Sequence, residues 1–141
     1  MKTWDEIHKG LIRPFPIKSL MWRKGAGGKN FVYIDARDVM ARLDDVAGPG
    51  HWQSTYSEAG GIVVCTISIR GMDAAPSWVS KSDGAGETQV EAEKGAMSSA
   101  LKRAAVQWGI GRYLYYMKMY PQLSAKQQVP DWMDPEHERW N

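Results

Sequence analysis

The segment Ile62-Val63-Val64-Cys65-Thr66-Ile67-Ser68-Ile69-Arg70 constrains the fold more than any other stretch of the chain. Its residues are mostly β-branched, which suits a pleated and half-buried surface. Gly60-Gly61 turns the chain before it, and the stretch from Gly71 to Pro76 turns it after. Trp52 to Ser57 has strand character on one side, and Ser77 to Lys81 reads as a short strand on the other. Antiparallel strands joined by tight turns are therefore expected in the middle of the chain.

Helices flank this centre. Thr3-Trp4-Asp5-Glu6 is a capping box, in which the Thr3 hydroxyl and the Glu6 carboxylate satisfy each other's backbone N–H. Trp4, Ile7, Leu11 and Ile12 follow at helical spacing until Pro14 and Pro16 end the run. Ile17 to Arg23 and Lys29 to Asp35 are expected as two strands around the turn Gly25-Ala26-Gly27-Gly28, a β-hairpin with a basic tip. Ala36 to Val46 places Val39, Met40, Leu43 and Val46 on one side of a helix that Gly48-Pro49-Gly50 stops. After a polar loop from Ser82 to Gly86, Thr88 opens a long helix to about Trp108, with Glu91 completing a second capping box. Its apolar stripe is expected to be Val90, Met97, Leu101, Ala104 or Ala105, and Trp108. Gly109 and Gly111 bend it, and Arg112 to Tyr120 is expected to continue helical. The fold class is α+β: an antiparallel sheet with a β-hairpin packed on a long helix. Residues 1–120 form the expected domain, and 121–141 a polar, acidic arm, either disordered or docked on a basic surface.

A chain of 141 residues is one domain and buries a core without staples. One cysteine, Cys65, excludes an intramolecular disulfide and fits a reducing compartment. No apolar run reaches membrane-spanning length, and the acidic start has no signal-peptide core, so a cytoplasmic protein is expected. The net charge of +2 hides an uneven distribution. Residues 1–29 carry seven cations against Asp5 and Glu6. Lys102, Arg103, Arg112 and Lys118 lie in a stretch with no acid, while Asp131, Asp134, Glu136 and Glu138 crowd the end.

Two basic constellations are candidates for chemistry. Arg23, Lys24 and Lys29 surround the glycine turn, where cations and open N–H groups could hold phosphates; the alternative is a solubilising turn. It is no Walker loop, because the Gly-Lys-Ser/Thr ending is missing. Lys102 and Arg103 sit mid-helix, with Lys94, Ser98 and Lys102 on one face. The small residues Gly95, Ala96, Ser98, Ser99, Ala100, Ala104 and Ala105 make a slim helix that another backbone, a subunit or DNA can approach. The acids Asp83, Glu87, Glu91 and Glu93 are explained by the helix dipole, though Asp83, Glu87 and Glu91 could also serve a metal-dependent nuclease. His8, His51 and His137 show no ligand spacing, and common hydrolase and zinc signatures are absent. No catalytic residue, metal or cofactor is expected.

Taken together these segments resemble the Rad52 family, more closely its phage Sak-type members. The matching stretches are Trp22 to Gly25 through Phe31-Val32-Tyr33-Ile34-Asp35, Asp38-Val39-Met40 through Leu43, and Gly48 to Trp52. Glu91 to Ala104 and Gly109-Ile110-Gly111-Arg112-Tyr113-Leu114 complete them. The resemblance implies a β-β-β-α core with an added hairpin, and subunits in an undecamer-type homo-oligomeric ring. It implies ATP-independent annealing of complementary single strands, in recombination and double-strand break repair, by a protein that is not an enzyme. Single-stranded DNA would lie in a basic groove with phosphates inward and bases outward. By position, Arg23, Tyr33, Lys102 and Arg103 would line it, with Lys24, Lys29 and Arg112 completing the DNA-binding set. The sequence departs from the family at Val106, where some members carry another arginine. It also lacks the long C-terminal region of eukaryotic members, so recombinase loading is not expected. A single-strand-binding protein or an exonuclease are the further partners the resemblance allows, in a bacterial or phage-infected cell. A structural ring that binds RNA is the remaining alternative.

Overall fold

The computed structural model describes residues 1–85 and 92–141. Helix α1 (Trp4–Leu11) begins at the expected capping box, with Glu6 N–H donating to Thr3 Oγ1 at 3.2 Å and Thr3 N–H to the Glu6 carboxylate at 3.0 Å. Strands β1 (Met21–Lys24) and β2 (Asn30–Tyr33) pair antiparallel as the expected hairpin, with Arg23 opposite Phe31 and Met21 opposite Tyr33. Helix α2 (Ala36–Ala47) follows, capped by the Asp35 carboxylate.

Strands β3 (Trp52–Ala59), β4 (Ile62–Met72) and β5 (Pro76–Gly84) form an antiparallel sheet with β4 central. Strand alternation sends Cys65, Ile67 and Ile69 of β4 to one face, where all three are fully buried. Helix α3 (Ala92–Gln107) crosses that face over β4 and β5. Ala100, Ala104 and Ala105 are buried there, so the helix approaches its own sheet with methyl groups alone. Ile7 and Leu11 of α1, with Val39 and Leu43 of α2, close the core. Trp108 anchors the end of the long helix by stacking on Trp4 and donating its indole N–H to Ile67 O at 3.0 Å.

Four expectations change. Ile17 to Ser19 is a turn of 3-10 helix, so only Met21–Lys24 is strand; Ser19 N–H bonds back to Pro16 O, which holds the chain out of the ladder. Strand β5 extends through Ser82 to Gly84, where a polar loop was expected. The Ser80 and Ser82 hydroxyls pair with Ser68 and Thr66 across the strand on the open sheet face, so polar composition there marks a face and not a loop. Arg112–Met119 is 3-10 helix, because left-handed Gly109 (φ 92°) and Gly111 (φ 74°) end the α-helix first. Met97, expected in the apolar stripe, is 54% exposed. The second capping box at Thr88 and Glu91, Val90, and the side chains of Glu87, Glu93 and Lys94 lie outside the described residues.

The segment after Tyr120 is no free end. A short helix, α4 (Pro121–Ala125), leads to Met133, whose side chain is fully buried in the core. The Arg13 guanidinium donates to Pro135 O and Trp140 O at 3.1 and 2.9 Å, so a basic residue holds the arm by its carbonyls rather than its carboxylates. Trp132 donates to the Tyr120 hydroxyl, and Arg139 stacks over the Trp132 ring. Met133→Ala should therefore lower unfolding free energy by about 2–5 kcal/mol, measured by denaturant titration.

Candidate nucleic-acid interface

Two faces of α3 divide its work. Ala100, Leu101, Ala104 and Ala105 meet the sheet, while Gly95, Ser99, Lys102 and Val106 recur at helical spacing along the opposite side. That second side is the floor of an open groove of about 1590 Å³. The β1–β2 hairpin forms one wall, and the 3-10 segment with α4 forms the far end. The Asn30 amide donates to Ser124 O at 3.1 Å, fastening the hairpin to α4.

The groove gathers cations from distant parts of the chain. Arg23, Lys24 and Lys29 come from the hairpin, and Lys102 and Arg103 from α3. Tyr33 joins them, its ring 5.1 Å from the Lys102 ammonium in a cation–π contact. Six of the seven residues expected from sequence thus line one surface. Burial pushes the Lys102 ammonium below its ordinary value; Asp35 opposes that shift, and the like charge of Arg23 adds to it. A phosphate placed here would relieve both the desolvation and the repulsion. Arg103 approaches Asp83 at 3.6 Å. Burial would raise the Asp83 carboxyl, but donors from Gln107 and Gly84 and the charge of Arg103 outweigh it and hold it low. Asp83 therefore works as a positioning partner between β5 and α3.

Arg112 is not brought to the groove. Its guanidinium turns back on the end of α3, donating to Val106 O at 3.0 and 2.7 Å and to Gln107 O at 3.0 Å. It satisfies helix carbonyls that have no intrahelical partner. Lys118 lines the groove although it was not singled out among the candidate site residues. In a 3-10 helix residues three apart eclipse, so Tyr115 and Lys118 share a side, a phase that an expected α-helix conceals. Phe31 and Tyr115 are also in the walls.

Of the acids considered for metal chemistry, Asp83 is engaged as described, and Glu87 and Glu91 lie outside the described residues. Among the described residues no cluster of three His, Cys, Asp or Glu side chains could hold a metal ion. Among them, too, no helix is long and apolar enough to cross a membrane.

Comparison with known proteins agrees with this geometry. The single-stranded DNA-binding protein DdrA of Deinococcus deserti is 35% identical over 151 aligned positions, covering 96% of this chain and 73% of the relative. Its counterpart in Deinococcus radiodurans is 33% identical, covering 96% and 71%. The model of the Rad52/22 family double-strand break repair proteins matches residues 3–133. The chain is a member of the Rad52/22 family.

Proposed function

We propose that the groove binds single-stranded DNA by its phosphates, and that the protein anneals complementary strands without ATP in recombination and double-strand break repair. The observation that carries this reading is the convergence of Arg23 and Lys24 from the hairpin with Lys102 and Arg103 from α3 on one groove. Cations on separate elements facing one track neutralise a backbone without reading sequence. Lys24, Lys29 and Lys118 extend the track toward the hairpin tip and the far end. The DdrA relatives, named as single-stranded DNA-binding proteins, support the same ligand.

Annealing follows from physics that needs no fuel. Base pairing supplies the free energy, so the protein has only to screen phosphate repulsion and release the duplex. Assembly into a ring, as the family membership suggests, would multiply weak contacts into avidity. The test is to mix two complementary labelled strands with the protein, without nucleotide, and follow duplex formation by fluorescence. Faster duplex formation with strand length unchanged is the expected result. No acceleration would remove annealing from the account. Magnesium-dependent shortening would point to a nuclease, and preferential capture of an RNA competitor of equal length to an RNA-binding ring.

A further inference from the structure

The groove contains more than charge. Phe31 is 44% exposed and Tyr115 is 60% exposed, and both rings stand in its walls. An isolated exposed aromatic needs no explanation. Two in one cationic groove are a different arrangement, and one of them is braced from behind. A Cβ at Gly25 would overlap the Phe31 ring, so only glycine lets the ring lie across the hairpin tip. The tip is closed by Gly25 N–H on Lys29 O at 2.8 Å and Gly28 N–H on Gly25 O at 3.1 Å. The ring is thus held by a short, hydrogen-bonded turn while part of its surface stays open.

Phe31 also sits in a row. Strand geometry puts Phe31 and Tyr33 on the same face of β2, about 7 Å apart, with Arg23 directly opposite Phe31. Tyr33 already has a cation over its ring in Lys102. Every base has a face that stacks on an aromatic ring whatever its sequence. We infer that this groove holds nucleobases as well as phosphates, with Phe31 and Tyr115 as stacking platforms beside the cations. The inference rests on the single-strand reading above and adds a ligand class to it: unpaired bases of an extended strand.

The experiment compares two probes of equal length, an oligodeoxythymidylate and an abasic deoxyribose-phosphate strand, which differ in bases alone. Binding is measured for the full chain and for Phe31→Leu, Tyr115→Leu and Lys102→Ala. Leucine keeps an apolar side chain beside Gly25 and removes the stacking face, and matched thermal midpoints check the fold. Each leucine variant should lose about fivefold or more on thymidylate and nothing on the abasic strand. Lys102→Ala should lose on both. Equal loss on the two probes, or undiminished thymidylate binding by both leucine variants, would overturn the stacking role and leave the phosphate track standing. If the unmodified protein binds neither probe, the groove is not a single-strand site and both readings fall.

Discussion

Alanine at both Arg23 and Lys102 should nearly abolish single-strand binding while leaving the thermal midpoint in place. The two residues face one groove and raise each other's electrostatic cost, as the depressed Lys102 ammonium records. Removing both relieves repulsion in the free protein, so stability should not suffer. Each charge-assisted contact to phosphate contributes about 1.5–3 kcal/mol, so each single variant should weaken binding roughly tenfold to a hundredfold. Arg23→Lys should recover part of the loss, because charge survives without the planar fork. Arg112→Ala is the control from the same basic stretch: its guanidinium is spent on Val106 O and Gln107 O, so affinity should hold. Equilibrium titration of a labelled oligonucleotide reads all four variants. Wild-type affinity in the double variant would remove the groove from the account.

Arg42→Met should be the most destabilising single change away from the groove. The Arg42 guanidinium reaches four backbone carbonyls, donating to Gly10 O at 3.3 Å, Leu11 O at 3.1 Å, Arg13 O at 2.6 Å and Pro14 O at 3.2 Å. It also lies 4.1 Å from the centre of the Phe15 ring. Gly10 and Leu11 are in the last turn of α1, where carbonyls have no partner within the helix. One side chain thus ends α1, shapes the proline turn and ties both to α2. The neighbouring Tyr113 hydroxyl accepts from Phe15 N–H at 2.9 Å, and burial pushes it up to about 12, so it stays neutral. Methionine fills similar space but leaves the carbonyls unmet, at a cost of about 3 kcal/mol or more. In a domain of this size that lowers the thermal midpoint by about 10 °C. Arg42→Lys keeps the charge, but one ammonium cannot span four carbonyls, so it should fall between the two. Calorimetry of the three proteins checks the order.

What could be read from residues alone follows from where local chemistry decides structure. Thr3 and Glu6 announce α1, and Gly60-Gly61 and the Ile62 run announce the central hairpin, because caps and turns are short-range. β5 was read too short because Ser80 and Ser82 are polar on both sides of Lys81; their hydroxyls are used across the sheet, which only pairing reveals. The slimness of α3 was legible, but not that Ala100 and Ala104 spend it on the chain's own sheet. The site divides the same way. That Arg23 and Lys102 belong together came from resemblance, since nothing local links them, and the groove brings them to one surface. Arg112 and Lys118 show the limit of counting charges. Both are cations of one short segment, yet one turns back on a helix end and the other lines the groove. Composition records a charge and not its direction.

Affinity for a single strand as a function of salt tests the central claim most directly, with the same sequence as a duplex for comparison. A phosphate track predicts a linear fall of log affinity with log salt, by about 0.7 for every phosphate neutralised on a single strand. It also predicts that Lys102→Ala and Arg23→Ala flatten the line as well as lower it. Binding that is insensitive to salt, or slopes unchanged in both variants, would contradict the account.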